Sequence, residues 1–162
     1  MIVVSDTSPI LNLARIGRLD LLPALYQQVI IPEAVYAELT VSKRDLPPAI
    51  DLASEPWLTI AVPKDKARVQ KLREDLDPGE AEAIVLAIER RADLLLVDER
   101  RARRIAANAG LTVTGLLGTL ARAKLAGLIP EAKPVLDELI RTARFWIGPE
   151  LYQEVLKELG EM

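Results

Sequence analysis

An unbroken apolar run that ends at an acid, LLLVD, occupies residues 94–98. A strand that is apolar at every position is buried on both faces, as in a parallel sheet that helices cover on either side. The run IVVSD at residues 2–6 has nearly the same form. The two runs predict core strands of an α/β fold, with Asp6 and Asp98 just beyond the carboxyl ends of these strands.

Helical and strand patterns alternate along the rest of the chain, as a doubly wound α/β fold requires. Thr7 and Ser8 offer a hydroxyl N-cap, and Pro9 then stands at the first helical position. Pro32 starts a helix, and residues 43–48 break the pattern and form a loop. Further strands are predicted at residues 29–31, 57–62 and 112–114, and helices at 9–16, 19–25, 32–39, 49–54, 64–74, 78–88, 100–109, 116–126, 130–142 and 149–159.

The size of the chain predicts one domain over residues 1–162, because 162 residues that are 50% hydrophobic can bury one substantial core. We expect three layers, with a central parallel sheet flanked by helices. The C-terminal helices, within residues 130–160, are amphipathic. We expect them to pack on the core or on a partner subunit, and the protein to form a homodimer.

Cysteine and histidine are both absent. Their absence excludes thiol nucleophiles, Ser-His-Asp triads and zinc sites built from Cys or His. A bound metal must then have oxygen ligands, which favours a hard cation such as Mg²⁺ or Mn²⁺. Asp6 interrupts the first apolar residues well before a secretory signal is complete, and no run approaches the ~18 apolar residues that span a bilayer. We therefore expect a cytoplasmic protein without membrane association.

Four acids are candidates for one site. Asp6 and Asp98 would meet at one sheet edge if their strands are neighbours. Glu38 lies at the margin of a predicted buried helix face, and Glu80 begins an almost wholly apolar helix. The alternatives are structural, since Asp6 and Asp98 also suit helix N-caps and Glu38 a solvated helix face. Asp77 and Glu80 match a capping box.

Clustered carboxylates repel one another unless a cation neutralises them. A divalent ion removes this repulsion, lowers the pKa of water and stabilises the charge that develops on a phosphodiester. Hydrolysis by a metal-activated water is therefore compatible with a chain that has no histidine.

Four motifs give the sequence a family resemblance. They are VSDTSP at residues 4–9, IPEAVYAEL at 31–39, DPGEAEAI at 77–84 and LLVDERRAR at 95–103. In this order and spacing they resemble the PIN-domain family, most closely its prokaryotic PIN-like branch (DUF3368-type), which is related to VapC-type toxins. The resemblance extends through about residue 125.

The resemblance implies that Asp6, Glu38 and Asp98 are catalytic metal ligands. For the remaining ligand it allows Glu80 or Glu82, which point to nearly opposite sides of one helix, so only one of them can bind the same ion. We favour Glu80, because it also lies at the positive end of the helix dipole. Residues that would orient the ligands or a water are Thr7, Ser8, Glu82 and Glu99.

The activity implied by the resemblance is that of a Mg²⁺- or Mn²⁺-dependent endoribonuclease, with a small antitoxin protein as partner if the chain is a toxin. The net charge of −3 argues against a broad nucleic-acid-coating surface. A local basic cluster directly after Asp98 can hold RNA phosphates or can be a solvated helix face. This cluster comprises Arg100, Arg101, Arg103 and Arg104.

Two other functions stay open from the sequence. One is a regulatory or nucleic-acid-binding module that keeps the fold without cutting RNA. The other is a phosphoryl-transfer enzyme with Asp6 as nucleophile, which we rank low because Ser8 stands where a second acid is expected.

Overall fold

In a computed structural model of the protein, the structure describes residues 1–41 and 51–162. The strands are β1 (Val3–Ser5), β2 (Val29–Pro32), β3 (Leu58–Ala61), β4 (Leu94–Leu96) and β5 (Val113–Thr114). The helices are α1 (Thr7–Arg15), α2 (Leu21–Tyr26), α3 (Glu33–Val41), α4 (Lys66–Leu72), α5 (Pro78–Glu89), α6 (Arg100–Asn108), α7 (Leu116–Leu125), α8 (Lys133–Thr142) and α9 (Pro149–Glu158), with a 3₁₀ turn at Leu52–Ser54.

The strands of these residues form one parallel sheet in the order β3-β2-β1-β4-β5. β1 lies in the middle, between β2 and β4. Ser5 pairs with Leu96, so the carboxyl ends of β1 and β4 are level with each other. The two apolar runs are therefore neighbouring strands, and the α/β fold predicted from them is confirmed.

Side chains of the central strands alternate between two apolar clusters. Val3 and Leu96 point into a cluster that contains residues of α1, α2, α3, α7 and α8. Val4 and Leu95 point into the other, which is built mainly from α4, α5 and α6. An apolar residue at each position of these strands serves one cluster or the other. The result is the predicted three-layer arrangement, with the sheet between two layers of helices.

Two predicted helix starts are wrong. Thr7 is the first residue of α1, and Asp6 takes the N-cap position with extended backbone but forms no side-chain cap. The Thr7 and Ser8 hydroxyls bond to acids from other segments instead of capping the helix. Pro32 ends β2, where it pairs with Ala61, and α3 begins one residue later at Glu33. A proline suits a strand end, since it has no N–H to donate.

Other boundaries differ by a few residues. The predicted loop at 43–48 and the start of the predicted helix 49–54 lie outside the described residues. From Asp51 the chain forms only a 3₁₀ turn, with the Asp51 carboxylate accepting from the Ala53 N–H at 3.2 Å. Helix α4 begins after Asp65, whose carboxylate accepts from the Arg68 N–H at 3.0 Å.

The C-terminal helices lie against the rest of the chain. Helix α8 contributes Leu136 and Leu139 to the same cluster as β1, and α9 buries Leu156. Within the described ranges, no helix combines the length and hydropathy that are needed to cross a bilayer.

Candidate metal centre

Asp6 lies at the carboxyl end of the central strand, where β1 passes directly into α1. Its backbone N–H donates to the Leu96 carbonyl at 2.9 Å, which continues the pairing with β4. The carboxylate is 5% exposed, and its Oδ1 is buried without a hydrogen-bond partner. Burial, together with the nearby charges of Asp77, Glu80 and Glu38, raises the pKa of Asp6 to about 8. Such a group is stable only when it is protonated or when it faces a cation.

Glu38 enters the same place from α3. Its Oε1 accepts the Gly79 N–H at 3.1 Å, and its Oε2 accepts the Thr7 hydroxyl. A Cβ at residue 79 would lie 2.7 Å from Glu38 Oε1, so only glycine permits this approach of α5 to the carboxylate. Glu38 is thus held by α1 and α5. It does not lie on a solvated helix face, which was the structural alternative for this residue.

The N-terminus of α5 supplies Asp77 and Glu80, which form the capping box recognised in the sequence. Asp77 Oδ1 accepts the Glu80 N–H at 2.8 Å, and Glu80 Oε1 accepts the Asp77 N–H at 3.2 Å. Each cap uses one carboxylate oxygen, so the other remains available. Burial raises the pKa of Glu80 to about 7, with a further contribution from Asp77. The capping role and a place in the site are therefore compatible.

Three of these acids form a group with metal-binding spacing. Asp6, Glu38 and Asp77 each offer a carboxylate oxygen, and these oxygens all lie within 4.8 Å of one another. Carboxylate oxygens are the donors that Mg²⁺ and Mn²⁺ prefer, and one of the three residues, Asp6, has a buried Oδ1 without a hydrogen-bond partner. The residues present therefore fit a hard divalent cation. Asp77 was not identified as a candidate ligand from the sequence, because its role as an N-cap already explained an acid at this position.

Asp98 lies where the site borders α1 and α7. Its Oδ1 accepts the Leu116 N–H at the start of α7 at 2.7 Å, and its Oδ2 accepts the Ser8 hydroxyl at 3.2 Å. Asn12 in turn donates to Ser8 at 3.0 Å. Burial raises the pKa of Asp98, while these hydrogen bonds and Arg103 oppose the rise. Asp98 does not cap α6, the helix that directly follows it.

Glu99 and Glu82, which we expected to orient the ligands, both cap helices. Glu99 Oε2 accepts the Ala102 N–H at 3.0 Å as the N-cap of α6, and its side chain borders the site. Glu82 Oε1 accepts the Ala34 N–H at 3.2 Å in the first turn of α3. Glu80, but not Glu82, lines the acidic cavity.

The acids open into one cavity of about 610 Å³, which we call the acidic cavity. Asp6, Glu38, Glu80 and Asp98, which we predicted to form one site, all line it, and so does Asp77. Its far wall comes from the segment between α8 and α9. The sequence showed aromatic residues in this segment but no sign that they face the site. The remaining lining residues are Thr7, Ser8, Leu11, Asn12, Arg15, Glu99, Ala143, Arg144, Phe145 and Trp146.

The four predicted RNA-binding arginines of α6 diverge. Arg101 forms an ion pair with Asp75 at 2.8 Å on the surface. Arg100 and Arg103 line a second cavity of about 540 Å³, which adjoins the acidic cavity and also contains Asp98. Arg104 is exposed and borders neither cavity. The structure therefore brings two of the four arginines beside the acids.

Comparison with known proteins agrees with this geometry. A family model described as a PIN domain matches residues 2–161. No curated protein matches the chain. PIN domains are generally metal-dependent nucleases. Since the match covers nearly the whole sequence, the chain belongs to the PIN-domain family.

Proposed function

We propose that the protein is a Mg²⁺- or Mn²⁺-dependent endoribonuclease that hydrolyses RNA phosphodiester bonds in the acidic cavity. The observation that carries the proposal is the buried, partnerless Oδ1 of Asp6 within a group of three carboxylates. A protein without metal gains nothing from gathering these charges, because burial and mutual repulsion both oppose their ionisation. A divalent cation reverses both effects.

The chain's own residues divide into ligands and groups that fix them. Asp6, Glu38 and Asp77 would hold the ion, with Glu80 beside them. Thr7 and the Gly79 N–H fix the Glu38 carboxylate, as the contacts above describe. The α5 capping box fixes Asp77 and Glu80 relative to each other. Carboxylates preset in this way lose little conformational entropy when an ion binds.

Asp98 has a different position from the group of three. Both of its oxygens already accept hydrogen bonds, from Ser8 and from Leu116. Its carboxylate therefore has a fixed orientation, and it borders the second cavity near Arg103. A bound divalent ion would activate water and stabilise the negative charge on a phosphodiester under attack. We propose that Asp98 orients the attacking water.

Metal uptake tests the first part of the proposal. Protein stripped with EDTA is titrated with MnCl₂ by calorimetry at pH 8, and thermal unfolding is followed with and without the metal. We expect saturable Mn²⁺ binding and a rise in Tm, since a ligand that binds only the folded state stabilises it. Asp6→Asn loses both effects. Asp20→Asn, at an exposed position paired with Arg18, retains them.

RNA cleavage tests the second part. The probe is a pool of random-sequence single-stranded RNA carrying a fluorophore and a quencher. We expect cleavage with Mn²⁺ or Mg²⁺, none in EDTA, and losses of at least about 100-fold for Asp6→Asn and Asp98→Asn. Glu80→Gln loses activity, whereas Glu82→Gln, on the same helix but outside the cavity lining, retains it. Cleavage that persists in EDTA or in both aspartate variants would contradict the proposal.

The competing function, a PIN-like module that does not cut RNA, predicts a different result. It allows metal or RNA binding but no metal-dependent cleavage of the pool. The related idea that the protein is a toxin with a small antitoxin rests on the resemblance to VapC-type toxins. Growth arrest on expression of the chain, absent for Asp6→Asn, is the expected result for a toxin.

A further inference from the structure

Trp146 is unusual for a large aromatic residue, because 84% of its surface is exposed. The other tryptophan, Trp57, is 9% exposed, and its indole N–H donates to Glu55 at 3.0 Å. Tryptophan side chains usually bury most of their apolar area. The residues around an exposed tryptophan ring indicate what the ring can bind.

The segment that carries Trp146 is anchored at its start. Ala143, just after α8, is buried, and Arg144 adopts a left-handed backbone with φ of 57°. The Phe145 N–H then donates to the Leu139 carbonyl at 3.0 Å, and the Phe145 ring packs partly against the apolar core. With residue 145 turned inward and fixed, the next side chain is directed to the outside. The exposure of Trp146 thus results from an ordered turn.

Trp146 lies between two kinds of charge. Together with Phe145 it lines both the acidic cavity and the second cavity, and Asp98 borders both as well. The second cavity carries Arg100 and Arg103, while the first carries the carboxylate group together with Arg15 and Arg144. Across the surface, the carboxylates are therefore followed by the exposed indole and then by two arginines.

This order matches the chemistry of a single RNA strand. A phosphodiester held at the acidic cavity would place its neighbouring base and its next phosphate within the adjoining cavity. An exposed aromatic ring offers a stacking surface to a base, and arginines offer donors to a phosphate. A base can stack in this way only when it is unpaired.

We propose that Trp146 is a stacking platform for an unpaired nucleobase of the substrate, with Arg100 and Arg103 holding the adjacent phosphate. Little base preference is expected from the ring itself, because every base has a π-face. The inference rests on the proposed nuclease function and names the residue that would hold a base beside the acidic cavity.

A single-tryptophan protein reports on this contact directly. Trp57→Phe leaves Trp146 as the sole indole. Its emission is followed with Mn²⁺ in the cleavage-deficient Asp98→Asn background, so that binding occurs without cleavage, during titration with a single-stranded oligouridylate and with a duplex RNA of the same length. We expect saturable quenching by the single strand and at least about 10-fold weaker binding of the duplex. Equal quenching by both RNAs, or no quenching by either, would overturn the proposal.

Two substitutions at the ring separate stacking from general packing. In the full-length protein with native Trp57, oligouridylate affinity is measured by anisotropy of a labelled strand. Trp146→Ala is expected to weaken binding by about 10-fold or more, while Trp146→Phe stays within about threefold of the native protein. Both variants should keep the native Tm and Mn²⁺ uptake, because the ring packs little against the fold. Unchanged RNA affinity in Trp146→Ala refutes the inference.

These measurements also distinguish a failure of the stacking role of Trp146 from a failure of the proposed nuclease function. If Trp146→Ala binds single strands normally and the native protein still takes up Mn²⁺ and cuts RNA, only the inference fails. If the native protein neither takes up metal nor cuts RNA, the proposed function fails, whatever the quenching shows. A change in oligomeric state of Trp146→Ala without any change in RNA affinity would make the ring a protein contact and overturn the stacking role.

Discussion

Asp6 is the residue where burial and charge conflict most strongly. Its pKa of about 8 in the folded protein lies far above the ordinary value of 3.8. Because burial disfavours the ionised form, the unfolded chain releases this proton at a lower pH than the folded protein does. Without metal, ionisation of Asp6 therefore lowers the free energy of unfolding as the pH rises from about 4 to about 8.

The first prediction is a stability gain in Asp6→Asn without metal. The uncharged amide avoids the cost of ionisation, so we expect the stability gain of the variant over the native protein to grow by up to about 4 kcal/mol between pH 5 and pH 8, at about 1.36 kcal/mol for each pH unit. Urea unfolding in EDTA at both pH values measures this. Asp20→Asn is the exposed control. Glu80 and Asp98, whose pKa values are also raised, leave a residual slope of the same sign in the variant. If the free energy of unfolding depends on pH as strongly in Asp6→Asn as in the native protein, then ionisation of Asp6 is not the cause of this dependence.

Gly79 is a second residue whose identity follows from the site. Alanine is favoured over glycine in helices by up to about 1 kcal/mol, yet a Cβ here would lie 2.7 and 2.8 Å from the two Glu38 carboxylate oxygens. We predict that Gly79→Ala folds but binds Mn²⁺ about 10-fold or more weakly, because Glu38 is displaced. Calorimetry at pH 8 measures this, with Pro78→Ala as a control in the same turn. If Gly79→Ala binds Mn²⁺ with native affinity, then metal binding does not require the Glu38 carboxylate to lie against residue 79.

At the scale of elements, the sequence predicted strands and helices well because their signals are local. The unbroken apolar runs fix β1 and β4, and their ends fix where Asp6 and Asp98 lie. Asp77 could not be recognised as a candidate ligand in this way. Its distance to Asp6 and Glu38 depends on how α5 packs against α3 and β1, which no local pattern encodes. The same holds for Trp146, whose position relative to the acidic cavity depends on how α8 docks.

Docking of α8 and α9 depends on one buried acid near the C-terminus. Glu161 accepts the backbone N–H groups of Ala132 and Lys133, each at 2.8 Å, and pairs with Lys124 at 2.9 Å. Its side chain is 5% exposed. It therefore satisfies the first donors of α8 and links that helix to α7.

We predict that Glu161→Ala lowers the free energy of unfolding by about 1–3 kcal/mol, because two N–H groups at the start of α8, of which that of Ala132 is buried, lose their acceptor. Urea unfolding measures the change. The control is Glu158→Ala, at an exposed position of α9, which should stay within about 0.5 kcal/mol of the native value. Since α8 positions the Trp146 segment, Glu161→Ala should also weaken single-strand binding. Equal stability of the two variants would mean that α8 docks without this acid.

At the scale of the whole molecule, a net charge of −3 limits how RNA can be held. Binding relies on local cations, because the overall field does not attract a polyanion. Of the four arginines on α6, Arg101 is already paired with Asp75, and Arg104 borders neither cavity. Arg100 and Arg103 are the two that line the second cavity.

We therefore predict a shallow salt dependence of single-strand binding. One phosphate neutralised by Arg100 and Arg103 gives a slope of log K against log salt of about −0.7 on a single strand. Titrations with Mn²⁺ in the Asp98→Asn background, between about 50 and 200 mM salt, measure the slope. The double variant Arg100→Gln, Arg103→Gln should flatten it, and Arg101→Gln should leave it unchanged. A steep slope that the double variant retains would place the RNA elsewhere.

The passage from β1 to α1 has a consequence for which sequence changes the protein can tolerate. One residue, Asp6, separates the end of the strand from the first helical residue, and the adjacent Thr7 and Ser8 bond to acids from different segments, Glu38 and Asp98. Neighbouring helix positions differ in direction by about 100°. A single insertion or deletion at this junction would therefore rotate both hydroxyls away from their acids together. Such a change in length should abolish activity even when the fold is retained.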